Sequence, residues 1–333
     1  MAEAGHILII RFSAMGDVAM SAAVIRDFRT ANPDVKITIT SRTLFQPFFG
    51  SIPDVGFHPF APKKEHKGFF GLFKLFMELR KQRITHVADL HNNLRSSVIR
   101  ILFFLTGCKI QKLDKGRAEK KKLTRKLNKE LKPLKQTVQR YADVFNALGF
   151  PFTLPQDAKH LTSASGSPWI GVSPFAQHLQ KVYPLHKMEA IVLKLATAGY
   201  QLFIFGGSDA EAVVAADWES KHPNIKSVIQ KMTLTEELEL ISKLSLMISM
   251  DSSGMHMAAL KDIPVVSVWG ATHPFTGFLG YGEQMDDAVQ IDLYCRPCSV
   301  YGNVPCYRGD FACMNNLPEQ QILDKVFQKL NHG

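Results

Sequence analysis

Long apolar runs are missing from this 333-residue chain. The best candidate, Val98–Gly107, contains Arg100 and falls well short of the roughly 20 residues that a bilayer-crossing helix needs. The opening Met-Ala-Glu-Ala-Gly-His has no basic stretch, and Ile7–Ile10 is too short for a secretory core. The expectation is a cytoplasmic chain with no leader and no transmembrane helix. Cysteine is scarce, at five residues, and stable disulfides are disfavoured in a reducing compartment. Three nucleotide motifs are also absent. No G-x-G-x-x-G follows a strand, which argues against a dinucleotide oxidoreductase. No G-x-x-x-x-G-K-[ST] occurs, which excludes a P-loop NTPase. No two Asp residues stand two apart, so the D-x-D that metal-dependent sugar-nucleotide enzymes use is missing. A chain that binds a diphosphate without that motif must meet its charge with side chains and helix ends.

What is present is uneven. The formal net charge is +10, and the window Lys109–Lys135 alone carries +9. Lys120, Lys121 and Lys122 lie at its centre. Such a window suits a polyanion, whether nucleic acid, an anionic membrane or a phosphorylated glycolipid, or else a solvated loop. Four of the cysteines fall in one stretch, Cys295, Cys298, Cys306 and Cys313. That spacing is compatible with a structural zinc or with a loop of reduced thiols.

Strand and helix signals alternate along the chain. Ile7–Ile10 reads as a buried strand, followed by a helix over Asp17–Asn32. Strands are expected at Lys36–Thr40, Val55–Pro59 and Thr85–Asp89, with an amphipathic helix at Phe69–Arg83 and another at Thr137–Leu148. A linker then runs through Gly149–Pro155 and the Ser-rich Thr162–Pro168. A second series follows, with strands at Trp169–Val172, Gln201–Phe205, Leu246–Met250 and Pro264–Trp269, and a last helix at Pro318–Leu330. Repeated β-then-α units imply parallel sheets covered on both faces. The expected domains are 1–160 and 168–317, with 318–333 a C-terminal helix that packs back on the first domain.

The chemistry-bearing residues gather where strands end. Asp17 follows the first strand in Ile7-Leu-Ile-Ile-Arg11-Phe-Ser13-Ala-Met-Gly16-Asp17, at the sheet edge where ligands bind in such folds. It reads equally as a helix cap. In the second half, three strands end in small or polar residues: Phe205-Gly206-Gly207, Asp251-Ser-Ser-Gly254-Met-His256 and Gly270-Ala271-Thr272. Small residues let backbone N–H groups approach a diphosphate, and a helix starting near Gly254 aims its positive end there. Lys181 is the best cation for a leaving diphosphate, in a charge-assisted bond worth about 1.5–3 kcal/mol.

These segments, together with Asp89-Leu-His91-Asn-Asn-Leu-Arg95, Lys181-Val-Tyr-Pro184, Gly270-Ala-Thr-His-Pro274 and the late cysteine block, occur in one order over nearly the whole chain. They resemble glycosyltransferase family nine, the ADP-heptose:lipopolysaccharide heptosyltransferases. The resemblance implies a GT-B fold, two Rossmann-like domains facing across a cleft, with metal-independent, inverting transfer and no cofactor. It implies Asp17 as the base that deprotonates the acceptor hydroxyl and Lys181 as the cation on the donor phosphates. Glu211 would hold the adenosine ribose, Met232 would line the adenine pocket, and Asp251 would meet the heptose hydroxyls. The turn Ser252, Ser253, Gly254, Met255 and His256 would cradle the diphosphate, with Ser173, Ala176, Gly206 and Gly207 completing the donor site. Ser13, Gly16, Asp89, Arg95 and Lys120–Lys122 are placed with the acceptor. Two departures stand out: Ser253 occupies the family's glycine place, with Gly254 after it, and the family's Lys-x-Trp-Pro reads Lys-x-Tyr-Pro.

The implied partners are a nucleotide-sugar donor and an anionic glycolipid at the inner membrane surface, met by the basic window and the Phe-rich helix of a peripheral monomer. Nucleic acid is not an expected partner, because no recognised RNA-binding module accompanies the charge. The competing readings are another nucleotide sugar, or a nucleotide-sugar epimerase of the same fold.

Overall fold

The computed structural model describes residues 5–155 and 168–331. They form two compact units, 5–115 with 137–155, and 116–136 with 168–331. The Ser-rich part of the expected linker, 162–167, lies outside the described residues.

The first unit runs β1 (His6–Ile10), α1 (Met15–Ala31), β2 (Lys36–Ser41), a 3-10 turn at Thr43–Phe49, β3 (Val55–Pro59), α2 (Gly68–Arg80), β4 (His86–Asp89), α3 (Leu94–Phe104) and β5 (Lys109–Lys112). The chain then passes through α4 (Arg117–Leu123), which belongs to the second unit, and returns as α5 (Thr137–Ala147). The five strands are parallel in the order β3-β2-β1-β4-β5. β1 is an unbroken apolar run because both of its faces are covered. Leu8 and Ile10 pack with Leu72, Phe76, Ile99 and Phe103 of α2 and α3. By the two-residue alternation of a strand, Ile7 and Ile9 point to the opposite face. There α1 meets α5, with Phe28 stacked 4.1 Å from Phe145.

The second unit runs β6 (Trp169–Ser173), α6 (Leu185–Thr197), β7 (Gln201–Ile204), α7 (Asp209–Lys221), β8 (Ile225–Ser227), α8 (Leu234–Ile241), β9 (Leu246–Met250), α9 (Ser253–Leu260), β10 (Val265–Val268), β11 (Ala288–Val289), α10 (Ala312–Asn315) and α11 (Glu319–Asn331). Its six strands are parallel in the order β8-β7-β6-β9-β10-β11. Both sheets therefore reverse their winding beside the first strand, at β1/β4 and at β6/β9. Open parallel sheets bind ligands at the carboxyl ends of the strands at such a point.

Three differences from the sequence reading have physical causes. β5, β8 and β11 were not expected: they are two to four residues long, and β5 and β8 carry lysines, as edge strands often do. α11, expected to pack on the first domain, buries Ile322, Leu323 and Val326 in the core of the second unit. The basic segment 116–136, expected in the first domain, clusters with the second unit. Lys129 Nζ donates to the carbonyls of Cys295 and Pro297 at 2.8 and 2.9 Å, and Leu134 N–H donates to Phe275 O. Among the described residues no helix is long and apolar enough to cross a membrane. Most of Val98–Gly107 lies in α3, whose Ile99 and Phe103 are buried in the core of the first unit.

Candidate active site

In the first unit the site sits at the β1/β4 switch point. Asp17 lies in the first turn of α1, but it is not the hydrogen-bonding cap: the cap position is Ala14, which offers no side-chain bond. The Asp17 carboxylate instead forms an ion pair with Arg11, whose side chain is 6% exposed against 30% for Asp17. Arg11 is fixed in turn by donating to Leu90 O at 2.6 Å and by lying 5.9 Å from the centre of the Tyr141 ring. A partly exposed carboxylate is thus aimed from a rigid base. Ser13 and Gly16 flank it and are half-buried.

His91 completes this edge and was not singled out in the sequence, although it lies two residues beyond the end of β4. Its ring is buried and meets Phe12 edge-on at 5.6 Å. Burial, reinforced by the positive charges of Arg11 and Lys115, pulls its pKa down to about 3 against the opposing pull of Asp17. It is therefore a neutral imidazole at physiological pH. Asp89 is a different matter. It was expected to contact the acceptor, yet it is fully buried. Its carboxylate accepts from the N–H groups of His91 and Asn92, from Ser96 Oγ and from Arg100 at 2.7–3.0 Å. Four donors, one of them a guanidinium counter-ion, leave it an organiser of the β4–α3 turn. Arg95, one turn away, is exposed.

In the second unit the β6/β9 switch point brings Lys181 and Asp251 together in an ion pair of 2.8 Å, with side chains 15% and 7% exposed. Lys181 closes a 3-10 turn (Leu179–Lys181). Its stem is crowded by Gly302, a residue with φ of +79° where an added Cβ would come within 2.5 Å of the Lys181 chain. Ser252 takes the cap position of α9 without supplying a side-chain bond, so the first-turn N–H groups have no side-chain cap. Ser253 starts the helix, and Gly254 lies where an added Cβ would be 2.4 Å from Ser173 Oγ. The shifted glycine is thus the one that lets α9 approach the end of β6. Met255 is completely buried and His256 nearly so.

Gly206 is hemmed in by Ile229, Phe175 and Glu211, whereas Gly207 faces open space. Glu211 Oε2 accepts from the N–H groups of Gly207 and Ser208 at 2.7 and 3.0 Å, in a capping box with Ser208. Half of its carboxylate is thus committed to holding this turn. Ala176 is half-buried and Met232 is 38% exposed. The third strand end, Gly270–Thr272, is held rather than open. The buried Arg296 donates to the carbonyls of Trp269, Gly270 and Thr272 and to Gln290. Arg296 sits between Cys295 and Cys298 in sequence, and no local pattern marks it as the residue that holds a distant strand end.

Of the expected acceptor lysines, Lys120 is buried, with its ammonium 4.1 Å from the centre of the Phe278 ring. Lys121 and Lys122 are exposed, and Lys122 pairs with Glu130. The four clustered cysteines are free thiols, and burial pushes Cys298 up to about 12. The four thiols lie close enough to act on one another electrostatically, but among the described residues the only three metal-capable side chains with ligand atoms within 4.8 Å of one another are His58, His66 and Glu78.

Two parallel α/β domains, each with candidate site residues at its switch point, are the architecture of the GT-B fold. The match to a family model narrows this. Residues 72–305 fit glycosyltransferase family 9 (heptosyltransferase), and the chain belongs to that family. It is similar to the lipopolysaccharide heptosyltransferase 3 of Escherichia coli, 22% identical over 281 residues that cover 77% of this chain and 81% of that protein. The fold is shared with a family 9 glycosyl transferase from Veillonella parvula, with a TM-score of 0.75, 17% identity and coverage of 100% and 99%. It is also shared with the ADP-heptose lps heptosyltransferase II of E. coli, with a TM-score of 0.68, 18% identity and coverage of 98% and 99%.

Proposed function

We propose that the chain transfers heptose from ADP-heptose to the inner core of a lipopolysaccharide acceptor, with inversion and without a metal ion. The observation that carries this reading is the start of α9, free of a side-chain cap, beside the Lys181–Asp251 pair. Its N–H groups and dipole suit a diphosphate, and Lys181 supplies the full charge that helix ends lack. Negative charge grows on the diphosphate as the glycosidic bond breaks, so these donors act most strongly in the transition state. Glu211, through the oxygen not used in its cap, and Met232 suit the ribose and base of ADP. Asp251 suits the sugar hydroxyls and keeps Lys181 oriented.

Asp17 takes the proton of the attacking hydroxyl, which is worth about 10²–10⁴-fold in rate. Arg11 holds the carboxylate, and neutral His91 adds no competing positive charge. Attack from the side opposite the diphosphate inverts the anomeric centre. The enzyme works as a monomer at the cytoplasmic face of the membrane that holds its lipid acceptor.

Calorimetry with ADP, UDP and GDP tests the donor: ADP should bind best, and a preference for UDP or GDP would remove the heptose assignment. Turnover should survive chelation by EDTA. Asp17→Asn should keep ADP affinity and lose at least about 10²-fold in turnover; retained turnover would dismiss Asp17 as the base.

A further inference from the structure

The start of α2 in the first unit carries a basic and aromatic tip that the site above does not use. Lys63, Lys64 and Lys67 are exposed, and Phe69 and Phe70 follow at 63% and 87% exposure. The tip stands on a rigid base. The buried ring of His66 accepts the Ala61 N–H at Nδ1, 3.0 Å away, so its proton lies on Nε2, 3.1 Å from Glu78. His58 reaches the same carboxylate oxygen at 3.0 Å. With Nε2 protonated, His66 has no lone pair to give a cation, and the cluster works as a clamp rather than a metal site. Gly71 closes it, because a Cβ there would come within 2.3 Å of the His66 backbone. Phe60 stacks on His66 and on Phe12, tying the clamp to the end of β1.

The topology adds a location. In a parallel sheet each helix begins at the carboxyl edge, so α2 and α3 start on the edge that carries Asp17. Leu94, 84% exposed, opens α3 there. α3 packs beside α2 through Phe76 and Phe103; its exposed Phe104 and Leu105 lie at the far end of the helix, away from this edge. Single exposed apolar residues are ordinary, but two neighbouring exposed rings beside three exposed lysines, with Leu94 on the same edge, mark an interaction surface.

We propose that the Lys63–Phe70 tip docks the first unit on an anionic lipid bilayer and sets the Asp17 edge at the headgroup layer. Aromatic rings favour that interface, and lysines are drawn to its negative potential. Nucleic acid would match the charge and could stack on the rings, but the aliphatic Leu94 on the same edge offers a base no stacking plane and favours lipid. The basic window of the second unit is the weaker candidate, because several of its lysines are engaged within that unit: Lys120 on Phe278, Lys126 on Tyr307 and Lys129 on two carbonyls. The inference deepens the glycolipid reading and rests on it for the purpose of docking, not for the docking itself.

The test is co-sedimentation of the full chain with phosphatidylglycerol/phosphatidylethanolamine vesicles and with phosphatidylcholine vesicles. Binding should need the anionic lipid and fall with salt. Phe69→Ser with Phe70→Ser, and separately Lys63→Glu with Lys64→Glu, should each cut partitioning about tenfold or more. Lys121→Glu with Lys122→Glu should cut it less than about threefold. Melting curves and ADP calorimetry on the same variants show that they are folded. Tip variants that partition like the parent, or a tip that drives dimerisation without vesicle binding, would overturn the proposal. Tip-dependent vesicle binding by a chain that prefers UDP would overturn the donor assignment and leave the docking surface standing.

Discussion

Lys181 has two suitors, and their competition can be measured. Its ammonium already sits 2.8 Å from Asp251 in a largely buried pair. Removing one member of a buried pair costs about 3–5 kcal/mol, mostly from the charge left behind. Lys181 retains some contact with water, so Lys181→Met should cost on the order of 2–4 kcal/mol, a melting shift of roughly 5–10 °C. If Lys181 also holds a diphosphate, the same variant should weaken ADP by about 10–100-fold. Asp251→Asn separates the two roles. An ammonium that touches both anions keeps them roughly 5–6 Å apart, where their repulsion is on the order of 1.5–3 kcal/mol at an effective dielectric of 20–40. Asp251→Asn should therefore tighten ADP, by about tenfold, while lowering turnover with the intact donor. Calorimetry on both variants and on the double variant closes the cycle. If Lys181→Met leaves ADP affinity unchanged, Lys181 is only a counter-ion for Asp251. If Asp251→Asn weakens ADP as much as Lys181→Met does, the pair is a structural strut and the phosphate role is lost.

Gly302→Ala should also weaken ADP, since the added methyl would displace the stem of Lys181; unchanged affinity in calorimetry would show that the lysine adapts. Asp89→Asn should lower unfolding free energy by about 3–5 kcal/mol in urea titrations, because Arg100 and three other donors converge on the buried carboxylate. A loss below about 1 kcal/mol would mean that the turn does not depend on that charge. His91 gives a pH signature. Its folded pKa of about 3 lies below the ordinary 6.5, so between those values the unfolded chain binds the extra proton. Stability should thus rise with pH across that window and level off above it. His91→Gln should flatten this slope in melting curves from pH 4 to 7, and an unchanged slope would assign the effect to other groups.

The sheets were readable because β1 and β9 are buried on both faces and so announce themselves as apolar runs bounded by turns. The ends of those strands were readable for the same reason: Asp17 and Asp251 are carboxylates placed where apolar runs stop. What could not be read was orientation. Asp89 likewise ends a strand, yet it turns inward because Arg100, eleven residues on, reaches back to it. The pairing of Lys181 with Asp251 and the seat of Lys120 on Phe278 join residues distant in the chain, and no local pattern encodes such contacts. β8 and β11 are not legible in the sequence, because two or three residues carry too little periodicity to identify a strand.

The path of the chain through 116–136 has a consequence for dissecting the protein. The two units are not two consecutive stretches of sequence, since the second borrows this segment from within the first. A fragment beginning at 168 would lose the lysine that bridges Cys295 and Pro297, the backbone bond to Phe275 and the cation over Phe278. It would expose the surface those groups cover. A second unit made to stand alone would need 116–136 supplied as a separate peptide or spliced on by permutation, and any chimera that exchanges halves with a relative must carry the segment with its second half.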